Sequence, residues 1–118
     1  SFSPRKTHIV EAGRWLGANV IDGARVGADN ARIAYYAGWR VSHAVVADDR
    51  ILAAQTYVAD RETLAAALAQ KRIDMVAIEV PRKDAGVEKW LVDHGLRAVQ
   101  RFTNKAGDAV IVAVPAKP

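Results

Sequence analysis

The chain has no cysteine, which excludes disulfides, thiolate metal sites and cysteine nucleophiles. That absence does not choose a compartment, because a cytosolic protein and a periplasmic domain without disulfides both fit it. No apolar run approaches the roughly 20 residues needed to span a bilayer. No secretory signal is read at the start. Glycine-rich loops are also missing. Gly23 and Gly27 come nearest to a pattern, but they flank a short strand instead of opening a helix, where a phosphate cradle needs them. Basic residues outnumber acidic ones, 17 to 13, giving a formal charge of +4. They are scattered, with short pairs at Arg5-Lys6, Lys71-Arg72 and Arg82-Lys83. Scattered charge is the mark of a solvated surface, with proximity to a membrane as the second reading. No nucleic-acid partner is expected, because no recognised module interleaves aromatic and basic residues here.

What is present is an ordinary core. Of 118 residues, 51% are hydrophobic and 25% charged, as in one globular domain. The first residue is Ser, not Met, so the chain reads as an excised or processed piece. It is expected to form a single α/β domain over residues 1–118, with 115–118 as a loose tail.

Hydrophobic spacing predicts alternating elements. Ser3-Pro4 suits a helix start, and Ile9, Ala12, Leu16 and Val20 follow at helical spacing. Arg25–Ala28 reads as a strand, Asp29-Asn30 as a polar turn, and Ala31–Ala37 as a two-turn helix ended by Gly38. Trp39–Ala47 is rich in β-formers. Ile51–Val58 is either a strand or a loose connection. Asp60 caps a helix carrying Leu64 and Leu68. Ile73–Val80 is nearly all apolar, like a strand covered on both faces, and Pro81 stops it. Asp84 is expected to cap a helix with Val87, Trp90, Leu91 and His94 on one face, closed by Gly95. Leu96–Asn104 and Asp108–Val114 are joined too tightly for anything but an antiparallel hairpin. This order predicts an α/β fold: a small Rossmann-like three-layer sandwich, its sheet mostly parallel with a C-terminal antiparallel hairpin.

Candidate chemistry is sparse. His8, His43 and His94 show no metal-ligand spacing, and no metal site and no cofactor are expected. His94, near a helix C-terminus, suits packing or the helix dipole. Glu79 is unusual in so apolar a strand, since a buried carboxylate is costly unless paired. The favoured reading turns it outward at the strand end, beside Arg82 or Lys83. Asp29 would repel a phosphate, and its simplest role is a helix cap. With Asn30, Tyr35, Tyr36 and Trp39 it makes a candidate ligand-binding surface of polar groups and aromatic faces suited to a carbohydrate. Tyr35 and Tyr36 point about 100° apart on a helix, so they cannot be equally buried. No catalytic residue is assigned.

Glu11-Ala-Gly-Arg-Trp-Leu16, Gly23-Ala-Arg-Val26, Ala28-Asp-Asn30 and Ile33-Ala-Tyr-Tyr-Ala-Gly38 carry a resemblance, echoed by Ile73-Asp-Met-Val-Ala77. Over roughly residues 5 to 80 the chain resembles the soluble domain that follows the last membrane helix in bacterial GT-C membrane glycosyltransferases. These are the enzymes related to protein mannosyltransferases and to the aminoarabinose transferase of lipid A. The resemblance implies a domain on the periplasmic side of the inner membrane, attached to the membrane part of the same polypeptide. It also implies a polyprenyl-phosphate sugar donor for the parent protein and a cell-envelope glycan or lipid acceptor. The family's catalytic acidic residues lie between early membrane helices, and no part of that motif occurs here. Where relatives continue into a Gly-Leu loop, this chain has Ala47-Asp-Asp-Arg50. A different class stays open: a free-standing small cytosolic α/β domain that binds a ligand or regulates.

Overall fold

A computed structural model describes residues 4–20, 24–42 and 55–116. A 3-10 turn (Pro4–Lys6) leads into α1 (Thr7–Asn19), then β1 (Val26–Ala28), α2 (Ala31–Ala37) and β2 (Arg40–Ser42). There follow β3 (Gln55–Val58), α3 (Arg61–Ala69), β4 (Met75–Val80), α4 (Val87–Asp93), β5 (Leu96–Thr103) and β6 (Ala109–Pro115). The six strands form one sheet in the order β2-β3-β1-β4-β6-β5. β2, β3, β1 and β4 run parallel, and β6 is antiparallel to both of its neighbours. The fold is therefore the α/β sandwich that the alternating pattern predicts. The open segment resolves in part, since Gln55–Val58 is a strand between β1 and β2. His43, Asp48-Asp49, Ser3 and Gly23 lie outside the described residues, as does the end of the Trp39–Ala47 stretch.

The two faces of the sheet are covered by different helices. β4 alternates Ala77 toward one face and Val76, Ile78 and Val80 toward the other. The first face packs under α1 and α2 through Ile9, Ala12, Leu16, Ile33, Val110 and Val112. The second packs under α3 and α4 through Leu64, Leu68, Val87 and Leu91. Coverage on both faces is what the nearly continuous apolar run of β4 needs. α1 lies close against α2 because Gly13 and Gly17 carry no side chain there. A Cβ on Gly13 would stand 2.6 Å from Tyr36 Cβ, and one on Gly17 would stand 2.7 Å from the Ala37 carbonyl.

Local chemistry sets most boundaries. Asn30 Oδ1 accepts the Arg32 N–H and Asp60 Oδ1 accepts the Thr63 N–H, so both are N-caps. Gly38 ends α2 in the left-handed region at φ 78°, as its position suggests. Four expectations need correction. Asp29 does not cap α2; Asn30 does, and Asp29 accepts the Glu79 N–H from the neighbouring strand. Asp84 does not occupy the N-cap of α4; Gly86 does, and Asp84 instead accepts the Gly86 N–H and pairs with Arg61. His94 is exposed, not part of the apolar face, because it is the C-cap, where the helical spacing ends. Asp74 stays out of β4 because its carboxylate binds the backbone N–H and the guanidinium of Arg25.

Candidate functional site

The polar residues of interest meet where the chain leaves the sheet in two directions. After β1 the chain turns to α2 on the first face. After the neighbouring strands β3 and β4 it turns to α3 and α4 on the second. By the topology rule for open α/β sheets, such a divergence places a crevice, the usual ligand position, at the C-terminal edge of the strands.

Asp29 and Asn30 follow β1 at this edge, and Glu79 is the second-last residue of β4. β1 and β4 pair with Ala28 opposite Ala77, so the next residues of each strand are brought together. Asp29 Oδ1 accepts the Glu79 N–H at 2.8 Å, and the Asp29 N–H reaches the Ala77 carbonyl at 3.3 Å. Asn30 uses both ends of its amide. Its oxygen caps α2, and its Nδ2 donates to Glu79 Oε1 at 3.1 Å. On the other side of Glu79, Oε2 lies 3.4 Å from His8 Nε2.

Glu79 thus sits at the strand end with its side chain 38% exposed, but its partners are Asn30 and His8, not Arg82 or Lys83. The reason is strand alternation. Position 79 shares the face of Ala77, and that face carries α1 and the start of α2. His8 is only 3% exposed, and neither ring nitrogen has a hydrogen-bond partner among the described residues. Its approach to Glu79 is close enough for charge interaction but is not aligned as a hydrogen bond.

The electrostatics single out Asp29. Burial is the largest influence and pushes its carboxyl up from 3.8 to about 6. The Glu79 N–H opposes this rise, the Glu79 charge adds to it, and Arg61 opposes it. A carboxyl poised near neutrality in a crevice is a marker of functional sites. Arg61 opens α3 across the crevice. It pairs with Asp84 at 2.8 Å and lies 5.4 Å from the centroid of Trp90. The exposed His94 ring lies 4.6 Å from the same indole, tilted by 34°.

The candidate surface is divided. Asp29 and Asn30 stand at the N-terminal end of α2. Tyr35, Tyr36 and Trp39 stand at its C-terminal end, about two turns away. Tyr35 is 74% exposed and meets Tyr36 edge to face at 5.1 Å. Tyr36 turns inward toward Gly13, and Trp39 packs partly into the first-face core. Sequence reasoning missed His8 and Arg61 as neighbours of this turn. The only available signal was Glu79, a carboxylate in an apolar strand that required a partner.

Among the described residues, no group of three His, Asp or Glu side chains could hold a metal ion. A hollow of about 380 Å³ lies at the opposite edge of the sheet, lined by Ala65, Leu68, Ala69, His94, Leu96 and Pro115 among others. It contains none of the residues of the polar crevice. The crevice is favoured as the site because its polar groups converge there, whereas volume alone places no chemistry.

The fold and the crevice together define a Rossmann-like α/β domain. A solved structure from Streptococcus agalactiae, described as a protein in the NADB-Rossmann superfamily, is similar to it. The two share 11% sequence identity with a TM-score of 0.50, over 92% of this chain and 69% of that one. At that identity the likeness concerns the fold alone. No family model matches the chain, and no curated protein matches it.

Proposed function

We propose that this chain is a non-catalytic domain of a bacterial membrane glycosyltransferase, on the periplasmic side of the inner membrane, where it assists the binding of an acceptor glycan, lipid or partner. The observation that carries this reading is the self-closure of the strand-turn-helix unit. The turn after β1 is where a nucleotide-binding sheet would present free backbone amides to a phosphate. Here Asn30 caps α2 and holds Glu79, and Asp29 takes the Glu79 N–H. The turn is filled by the chain's own side chains and bears acid, which suits a scaffold and not a phosphate cradle. The same segment carries the resemblance to the GT-C soluble domains. Its Ile33, Gly38 and Tyr36 act in packing and capping.

The test is the coding sequence upstream of Ser1. Several hydrophobic segments of about 20 residues support the proposal; a nearby start codon overturns it. For glycan binding, Tyr35 offers an open aromatic face beside the half-buried Tyr36. Titration with cell-envelope sugars should shift amide resonances between Asp29 and Trp39, and no shift there removes that part. Turnover of a glycosyl donor by the chain alone would overturn the non-catalytic assignment. The poised carboxyl of Asp29 favours a second reading, a free-standing cytosolic α/β domain that binds a small ligand at the crevice. The upstream sequence separates the two.

A further inference from the structure

Three segments far apart in sequence are tied together beside the crevice. Asn104, in the β5–β6 turn, donates through Nδ2 to the Arg5 carbonyl in the N-terminal 3-10 turn at 3.0 Å. Asp108, in the same turn, accepts the Arg82 N–H at 3.0 Å and the Asn104 amide at 3.2 Å. A Cβ on Gly107 would come 3.3 Å from the Arg82 Cβ. This clamp gathers Arg5, Lys6, Arg82, Lys83 and Lys105 on one corner of the sheet, and all five are exposed. The pairs that look scattered in sequence are therefore partly clustered in space.

The local balance is positive: five basic side chains stand against the carboxylate of Asp108 at the corner and that of Glu79 beside it, whose hydrogen bonds from neutral groups leave their charge in place. Asp84, nearby in sequence, pairs with Arg61. No ion pair holds Lys6, Lys83 or Lys105 among the described residues. Elsewhere several bases are neutralised: Arg25 by Asp74, Lys89 by Asp93 and Arg101 by Glu88.

We infer that this corner is a docking surface for the anionic headgroups of a lipid bilayer. Three of the five charges are lysines, compact point charges that suit phosphates without selecting a geometry. The three segments supply no aromatic side chain to stack a base, which disfavours a single-stranded nucleic acid. Clustered lysines and arginines beside an anionic leaflet act additively, with a loss of roughly fivefold in partitioning for each one removed. Contact at this corner would turn the crevice of Asp29 and Glu79 toward the headgroup layer. The inference concerns this chain's own surface and does not depend on the glycosyltransferase reading, which the upstream sequence tests separately.

The experiment is co-sedimentation of the 118-residue chain with vesicles of phosphatidylcholine, with and without 30% phosphatidylglycerol. Two doubly reversed variants carry the same net charge: Lys83→Glu with Lys105→Glu, and Lys71→Glu with Arg97→Glu. The second pair lies at the opposite edge of the sheet, about 20 Å away, beyond a Debye length at 0.1 M salt. Binding to the anionic vesicles alone, weakened more than about tenfold by the first variant and little by the second, is the expected result. Equal weakening by both variants would mean diffuse charge and would overturn the inference. So would no binding to anionic vesicles, or tighter binding to duplex DNA than to them. All four substituted residues are exposed, so each variant should melt as the native chain does, which thermal melts check.

Discussion

Asp29 and Glu79, 50 residues apart in sequence, are joined by a hydrogen bond in which Asp29 Oδ1 accepts the Glu79 backbone N–H at 2.8 Å. That bond ties the turn after β1 to the last residues of β4. It also holds two carboxyl groups close together in a partly buried place. The cost appears in the Asp29 carboxyl, which burial pushes up to about 6.

A pH dependence of stability follows. An acid whose folded value lies above its unfolded value binds protons more tightly when folded. Its contribution is complete below 3.8 and is lost as the pH rises through about 6. Asp29→Asn keeps an acceptor oxygen for the Glu79 N–H and removes the charge. The variant should match the native chain below pH 4 and exceed it above pH 6, by about 3 kcal/mol at most. Urea melts across pH 3.5 to 8 measure this, and a constant difference would show that Asp29 is not the titrating group. Asp74 acts in another window. Burial would raise it, but the hydrogen bonds from Arg25 outweigh burial and hold it below its usual value, so its support fades only at more acid pH.

Asn30 carries two bonds, and its variants separate them. Asn30→Ala loses the helix cap and the tie to Glu79, and should cost about 1 to 2 kcal/mol. Asn30→Asp keeps the cap but places a third carboxylate beside Asp29 and Glu79. Its loss should be largest at pH 7 and recover as the solution is acidified. Equal loss at both pH values would argue against crowding of charge at the turn.

Gly13 marks the contact of α1 with α2. Gly13→Ala gains about 1 kcal/mol of helix propensity. The new Cβ would stand 2.6 Å from Tyr36 Cβ and 2.7 Å from the Ile33 carbonyl, and a carbonyl in a helix cannot easily move aside. Overpacking of 1 to 3 kcal/mol should win, giving net destabilisation of about 1 kcal/mol. A thermal melt at or above the native midpoint would mean that the two helices can separate.

Lys71 ends α3 in the left-handed region at φ 59°. The Arg72 N–H reaches the Ala67 carbonyl and the Lys71 N–H reaches that of Leu68, the Schellman pattern that glycine normally completes. Lys71→Gly should stabilise by about 1 kcal/mol by relieving the Cβ clash. An unchanged chemical denaturation midpoint would show that the unfolded chain gains as much entropy from the glycine.

The divided ligand surface shows where reading the sequence stops. Asp60 and Gly38 act through residues within a few positions, so their roles as caps are written locally, whereas Asp29 and Asn30 offer the same cap and only the strand pairing that draws Asp29 to Glu79 leaves it to Asn30. The nearly continuous apolar run of Met75–Val80 marks a strand covered on both faces. The spacing of Tyr35, Tyr36 and Trp39 after Asp29 looks like one cluster, but the two turns of α2 carry the aromatics away from the acid. Glu79 can be flagged from its apolar neighbours, yet nothing local names Asn30 and His8 as its partners.

Read locally, the residues set most of the alternation of helices and strands, the caps at Asp60 and Gly38, the closing antiparallel hairpin and the absence of thiol chemistry. Each depends on periodicity, on a turn too short for any other connection, or on composition. Long-range packing sets the rest: β1 lies between β3 and β4, His8 and Glu79 approach across the first face, and the bases at 5–6, 82–83 and 105 share a corner. Those relations arise from strand order and long-range packing. They depend on which apolar faces bury one another, and no short stretch of chain specifies that choice.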